Sequence, residues 1–257
     1  MRNAVPCEGD KLWRAALAVA LAMLLSVRGY RKRSLNASGA ALALVVGFVS
    51  FYASIRFGLT LIAFFLSSSR ATKVGAERKK RLEEDHQVGG NRNWVQVLAN
   101  GGIGTCLAAA FWLRTKQSCM HPEVGVDFSA RPVEAWLQAA YLCQYACCNA
   151  DTWASELGVL SSAPPILVTR PWRRVPAGTN GGITWTGTLA SVAGGLMIGV
   201  VFWGAGAALA PSAADNLRAP PQWPLILLGA VAGGVGSLID SVLGATLQCA
   251  SNTPRTP

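Results

Sequence analysis

The sequence predicts an all-α fold, a polytopic membrane helix bundle of about seven transmembrane segments that takes in residues 1–257 as a single integral membrane domain. Three observations predict it. Of 257 residues, 51% are hydrophobic and only 14% charged, with a mean hydropathy of +0.33, whereas a soluble domain carries roughly 25% charged side chains. The apolar residues gather in seven runs, the second and third of them short, and the 23 Lys and Arg concentrate between those runs. Such a chain is not an ordinary soluble globule, a disordered polymer or a small disulfide scaffold. Nor does the net charge of +10 point to nucleic acid, because the cations do not interleave with aromatics or lie on soluble helices.

A spanning helix needs about 20 mostly apolar residues. The runs are Leu12–Val27, Gly39–Ala53, Phe57–Leu66, Trp94–Leu113, Val133–Asn149, Ile183–Leu209 and Trp223–Leu247. Only Ser54-Ile55-Arg56 separates the second from the third, which suits a tight hairpin or one long broken helix. The hairpin is favoured because it sets both basic flanks on one side. Seven spans then put fifteen Lys and Arg on the side holding the 67–93 and 150–182 loops, seven on the other, and Arg14 within the first span. The positive-inside rule makes the richer side cytosolic. After the first run come Arg28, Arg31, Lys32 and Arg33 rather than a cleavage site, so that run reads as an anchor and not as a secretory signal. The sequon Asn36-Ala37-Ser38 falls on the cytosolic side and is expected to carry no glycan.

The seven cysteines (Cys7, Cys106, Cys119, Cys143, Cys147, Cys148 and Cys249) contain no CxxC pair. His86 and His121 lack nearby partners in the sequence, so small residues used for packing explain them better than a metal site. Small residues recur every four positions at Gly187, Ser191, Gly195 and Gly199 and again at Gly229, Gly233 and Ser237. That spacing lets helices approach closely in lipid.

Four polar groups need explaining. Ser67-Ser68-Ser69-Arg70-Ala71-Thr72-Lys73, where the third run ends, offers hydroxyls and cations to a phosphate or is a plain interfacial segment with snorkelling cations. Glu77–Asp85 then pairs charges at helical spacing (Glu77 with Arg81, Lys80 with Glu84), as a solvated surface helix does. It leads to an amide-rich boundary with Asn91, Arg92, Asn93 and Asn100. Asn149–Glu156 contains two carboxylates able to hold Mg²⁺, or an Asp151 or Thr152 cap on a new helix. Asp151 and Glu156 stand about 140° apart on a helix, so they would not chelate one ion as an ideal pair. Gly178, Thr179, Asn180, Gly181 and Gly182 form either a glycine nest for an anion or a tight turn, with Arg170, Arg173 and Arg174 nearby in sequence. Last, Asp240 lies about 10 Å inside the seventh run. A short ionisable side chain at that depth faces a partner or a polar cavity.

The inferred topology gathers all four groups at one membrane face. Carboxylates for a metal, a glycine nest and cations for phosphate are the parts of phosphoryl transfer, and an apolar bundle suits a substrate with a lipid tail.

At these residues the sequence resembles the transmembrane protein 19 family. The likeness lies in Ser67-Ser68-Ser69 with Thr72-Lys73, Gly90–Val97, Asp151–Glu156, Val175–Gly182, Pro221-Gln222-Trp223-Pro224, and Asp240-Ser241 with Leu243-Gly244-Ala245-Thr246, and it extends over about residues 11–248. The wider family includes the plant phytyl-phosphate kinase. Against the family pattern the chain is expected to be shortened at both ends. The resemblance implies a nucleotide-dependent kinase, with CTP as the nucleotide, converting isoprenoid monophosphates to diphosphates in a membrane. Asp151, Glu156 and Asp240 would hold Mg²⁺ or orient phosphates. Ser68, Ser69, Arg70, Lys73, Arg92 and the Gly178–Gly182 backbone would bind phosphate charge, with Asn93 and Asn100 positioning. The alternatives are a carrier of lipid phosphates and a non-catalytic membrane protein.

Overall fold

A computed structural model describes residues 11–76, 79, 91–118, 120–210 and 219–248. The Glu77–Arg81 and Lys80–Glu84 pairs, His86, Cys7, Cys119 and Cys249 lie outside the described residues. The described residues form seven helices: α1 (Lys11–Arg31), α2 (Ala37–Ala53), α3 (Ile55–Lys73), α4 (Trp94–Gln117), α5 (Pro132–Gly158), α6 (Trp185–Leu209) and α7 (Pro224–Leu247). Leu12–Arg31, Trp94–Gln117, Trp185–Leu209 and Pro224–Leu247 are long and apolar enough to cross a membrane, and α2 is a shorter apolar helix.

Side-chain caps fix several starts. Asn36 accepts a hydrogen bond from the Gly39 amide, Thr184 from that of Gly187, and Asn93 forms a reciprocal capping box with Gln96, each satisfying amide groups that a helix leaves unpaired. Ser54 alone divides α2 from α3 in an extended conformation. The hairpin reading is therefore right about where the break begins, but the break is one residue and not three. Arg56 lies inside α3 and is 2% exposed, because Gln138 accepts from its Nη1 at 2.9 Å and the Phe202 ring lies 5.1 Å from it.

Two further boundaries move. The 67–93 segment is helical over residues 67–73 and the 150–182 segment over 150–158, where Ser67 and Ser68 bond Asn149 and Glu156 bonds Lys79. A helix runs unbroken through Asp151 and Thr152, so neither caps a new one. Beyond α5 the chain makes a small sheet absent from the sequence expectation: β1 (Ile166–Leu167), β2 (Arg170–Arg174) and β3 (Gly182–Ile183), all antiparallel in the order β2-β1-β3.

The centre of the bundle is α5. Tyr141, Leu142, Tyr145, Ala146, Asn149 and Ala150 are fully buried. Around them Phe57 stacks on Tyr141 with ring centroids 4.0 Å apart, and Phe111 lies 5.0 Å from Phe57. The Tyr141 hydroxyl donates to the Phe57 carbonyl at 3.0 Å. On its other side α5 meets α6 and α7 through small residues. A Cβ on Gly195 would collide with the Gly229 carbonyl, one on Gly233 would come within 2.9 Å of the Ala150 Cβ, and one on Gly187 within 3.1 Å of the Ala154 carbonyl. The stripes read from the sequence therefore weld three helices, because in lipid the close fit of backbones, not hydrophobicity, provides the attraction.

Candidate functional site

All the polar groups singled out in the sequence stand at one end of the bundle, where α1, α3, α5 and α7 end and α2, α4 and α6 begin. They do not form one pocket. Helical periodicity on α5 divides them. Asp151, Ser155 and Gly158 follow at spacings of four and three and share one face, and Asn149, Thr152 and Glu156 share another.

The first face lines a cavity of about 670 Å³ between α5, α6 and α7. Asp151 from α5 and Asp240 from α7 both border it, and the two carboxyls stand within direct interaction range of each other. Over them lies the loop of Gly178, Thr179, Asn180, Gly181 and Gly182. Its backbone takes positive φ at Gly178 (83°) and Gly181 (75°), a region that glycine enters without cost. Gly181 sits tightly against α7, where a Cβ would come within 2.8 Å of the Ser241 carbonyl. The loop is anchored by the Val168 amide donating to the Gly181 carbonyl at 2.9 Å and by the Gly182 amide donating to the Thr179 carbonyl at 2.9 Å. Thr188, Ser191, Ser237 and Ser241 add hydroxyls to the wall.

The second face is saturated. Ser67 and Ser68 donate to the Asn149 Oδ1 at 2.7 and 3.1 Å, and the Asn149 Nδ2 donates to the Gly194 carbonyl at 2.9 Å. Ser68 is a helix-packing residue and not a phosphate ligand. Glu156 forms an ion pair with the Lys79 ammonium at 2.6 Å, and the same ammonium donates to the Ala71 and Thr72 carbonyls. Lys79 is 1% exposed, so this member of the charged stretch is interior and not a solvated surface residue. The Arg92 Nη1 donates to the Ser69 Oγ at 3.1 Å. Burial pulls the Arg92 guanidinium below its ordinary value while Glu156 opposes the shift.

Glu156 therefore cannot join Asp151 and Asp240 around one ion, because the 140° separation turns it towards Lys79. Among the described residues no group of three or more His, Cys, Asp or Glu side chains could hold a metal. Of the three carboxylates expected to act together, the structure brings together only Asp151 and Asp240. The expected phosphate set changes too. Arg70 and Lys73 are exposed at the C-terminal end of α3, where they favour the helix dipole. Asn93 is spent on its cap. Asn100 borders a separate cavity of about 70 Å³ with Arg92 and Gln96. Arg170, Arg173 and Arg174 lie on the wholly exposed β2.

A polar knot that the sequence reading did not find closes the opposite end. Glu123, 3% exposed, accepts from the Ser54 hydroxyl and the Ile55 amide at 2.7 Å each and from the Arg56 amide at 3.3 Å. It caps the start of α3 from the loop between α4 and α5, and Arg14 approaches it to 3.8 Å. A carboxylate directly after a His-Pro pair gave no periodic signal by which to find it.

Residues 20–256 match the family described as integral membrane protein DUF92. The chain belongs to that family. DUF92 relatives include Protein PGR of Arabidopsis thaliana, 42% identical over 94% of this chain and 81% of its own length. An uncharacterized membrane protein of Methanocaldococcus jannaschii is 28% identical over 93% of this chain and 85% of its own length. One from Synechocystis is 27% identical over 93% and 85%. No solved structure matches the chain. DUF92 membership and the four long apolar helices make this a multi-pass integral membrane protein.

Proposed function

We propose that the chain is a membrane phosphotransferase that uses a nucleoside triphosphate, CTP by resemblance, to convert an isoprenoid monophosphate to its diphosphate at the cytosolic face. The observation that carries this reading is the meeting of Asp151 and Asp240, from distant parts of the chain, under a glycine loop in a cavity of about 670 Å³. The motif likeness to the transmembrane protein 19 group, and through it to plant phytyl-phosphate kinase, supports the substrate class.

The donor set suits Mg²⁺, which takes one or two carboxylates and completes its shell with water and substrate phosphates. Bound there by Asp151 and Asp240, Mg²⁺ would supply positive charge for the phosphates. The chain's own contributions are distinct. The Gly178, Asn180 and Gly181 amides of the loop can be offered to phosphate oxygens, and the Thr188, Ser191 and Ser241 hydroxyls can orient them. Those helix-bound donors hold acceptor and donor phosphates in line. An anionic oxygen of the monophosphate attacks the γ-phosphorus. A new P–O bond forms, the β–γ bridging P–O bond breaks, and the nucleoside diphosphate leaves with the electron pair. A phosphomonoester oxygen is already anionic near neutral pH, so no general base is needed.

The test uses purified protein in vesicles with Mg²⁺, farnesyl or geranylgeranyl phosphate, and each nucleoside triphosphate in turn. Diphosphate formation that Asp151→Ala abolishes is expected. Turnover of no pair, or turnover untouched by Asp151→Ala, overturns the proposal, and lipid-phosphate flux without nucleotide would assign a carrier instead.

A further inference from the structure

The cavity that holds Asp151 and Asp240 is polar at one end only. Its other end is lined by Val192 of α6 and by Ala230, Val231, Val235 and Leu238 of α7. These side chains border the cavity yet remain open on the outside of the bundle: Val192 42%, Val231 62%, Val235 50% and Leu238 49% exposed. Val231, Val235 and Leu238 follow at spacings of four and three, so they form one stripe along α7. Val192 packs closely on Gly234 of α7, where a Cβ would sit 3.2 Å from its side chain. On the neighbouring face of α7, Gly229 and Gly233 meet Gly195 of α6. From Asp240 to Val231 the cavity follows α7 as a groove for about 14 Å, close to half of a hydrocarbon core of about 30 Å.

We propose that this groove takes the hydrocarbon chain of the phosphorylated substrate sideways from the bilayer, so that the phosphate reaches Asp151 and Asp240 without its tail leaving lipid. The inference rests on the phosphate-head reading above. The continuity of one cavity from carboxylates to lipid-facing valines fits an amphiphile with one polar end, and it fits no fully water-soluble substrate. Because the groove covers half the core, it holds only the head-proximal part of a long tail and leaves the remainder in the acyl chains. Beyond the length of the groove, chain length then ceases to matter when substrate is counted as mole fraction in the membrane.

Two measurements on the full chain in phosphatidylcholine vesicles test the groove. The first photolyses farnesyl phosphate with a diazirine on its terminal isoprene and maps the adducts. Adducts concentrated on Val192, Val231 and Val235 are expected, and labelling spread evenly over lipid-facing helices overturns the proposal. The second fills the groove with Val235→Trp and compares it with Val45→Trp, an equally lipid-exposed site on α2. Val235→Trp should raise KM for farnesyl phosphate about tenfold while kcat holds, the pattern of lost uniform binding, and it should raise KM much less for dimethylallyl phosphate. Equal losses for both substrates, or equal effects of both variants, overturn the proposal. Adducts in the groove without turnover of any nucleotide would refute the kinase and keep the groove. Turnover with adducts elsewhere would do the reverse.

Discussion

Both ends of the bundle carry acidic residues inside a membrane protein, and the two ends treat them in opposite ways. At the far end Glu123 accepts three hydrogen bonds and faces Arg14, while the neighbouring Arg56 donates to Gln138. The Glu123 carboxylate there is answered by other parts of the chain. At the other end Asp151 and Asp240 stand side by side at the edge of a cavity. Two carboxylates side by side repel, and a chain keeps such a pair only where something else completes it. A saturated buried charge holds helices together, and the carboxyl pair that borders a cavity is the site proposed for a ligand. On α5 the same contrast falls within five residues, between Glu156 with its lysine and Asp151 without one.

The contrast can be broken by exchanging activity for stability. The largest effect is expected from Asp151→Asn and Asp240→Asn, each of which should cut diphosphate formation by about a thousandfold or more, the scale of removing a group that handles transferring charge. The thermal midpoint in detergent should hold or rise, because removing a charge relieves repulsion. Glu123→Gln should do the opposite. Losing one partner of a buried ionic cluster costs about 3–5 kcal/mol, seen as a lower unfolding midpoint, while kcat per folded molecule stays unchanged. If Glu123→Gln instead abolishes turnover at full stability, the division between the two ends is wrong.

Smaller effects sharpen the comparison within α5. Lys79→Met should destabilise by about 1–3 kcal/mol, because it strands the Glu156 carboxylate. The double variant with Glu156→Gln should recover much of that loss, and a double-mutant cycle measures the coupling. Smallest of all, Asn93→Ala removes the cap of α4 and should cost about 1 kcal/mol, with no change in KM for either substrate. Any KM change would restore Asn93 to the phosphate site.

Hydropathy made the helices legible, because lipid demands continuous apolar runs wherever a helix faces it. The α2–α3 break was visible from two short runs, and the stripes at Gly195 and Gly229 were visible from their spacing. What periodicity could not tell was which partner answers a polar side chain. Glu156 and Asp151 look alike in sequence, and only the position of Lys79, 77 residues away, separates them. Arg56 looked like a turn residue because its partners Gln138 and Phe202 come from helices much later in the chain. The sheet was hidden because Ile166–Leu167 and Gly182–Ile183 are too short for an alternating pattern to register. Asp240 was the most legible single residue, since the cost of a short acid at that depth points to a cavity by itself.

The helix at the centre of the candidate site is also the one with the most acidic residues to bring into lipid. It carries Glu134, Asp151 and Glu156, and the two helices that wall off Asp151 are translated after it. During synthesis α5 must therefore wait at the insertion machinery or lean on α3 until α6 and α7 emerge. A stretch that ends before Trp223 lacks α7, and with it both a wall of the cavity at Asp151 and the second carboxyl.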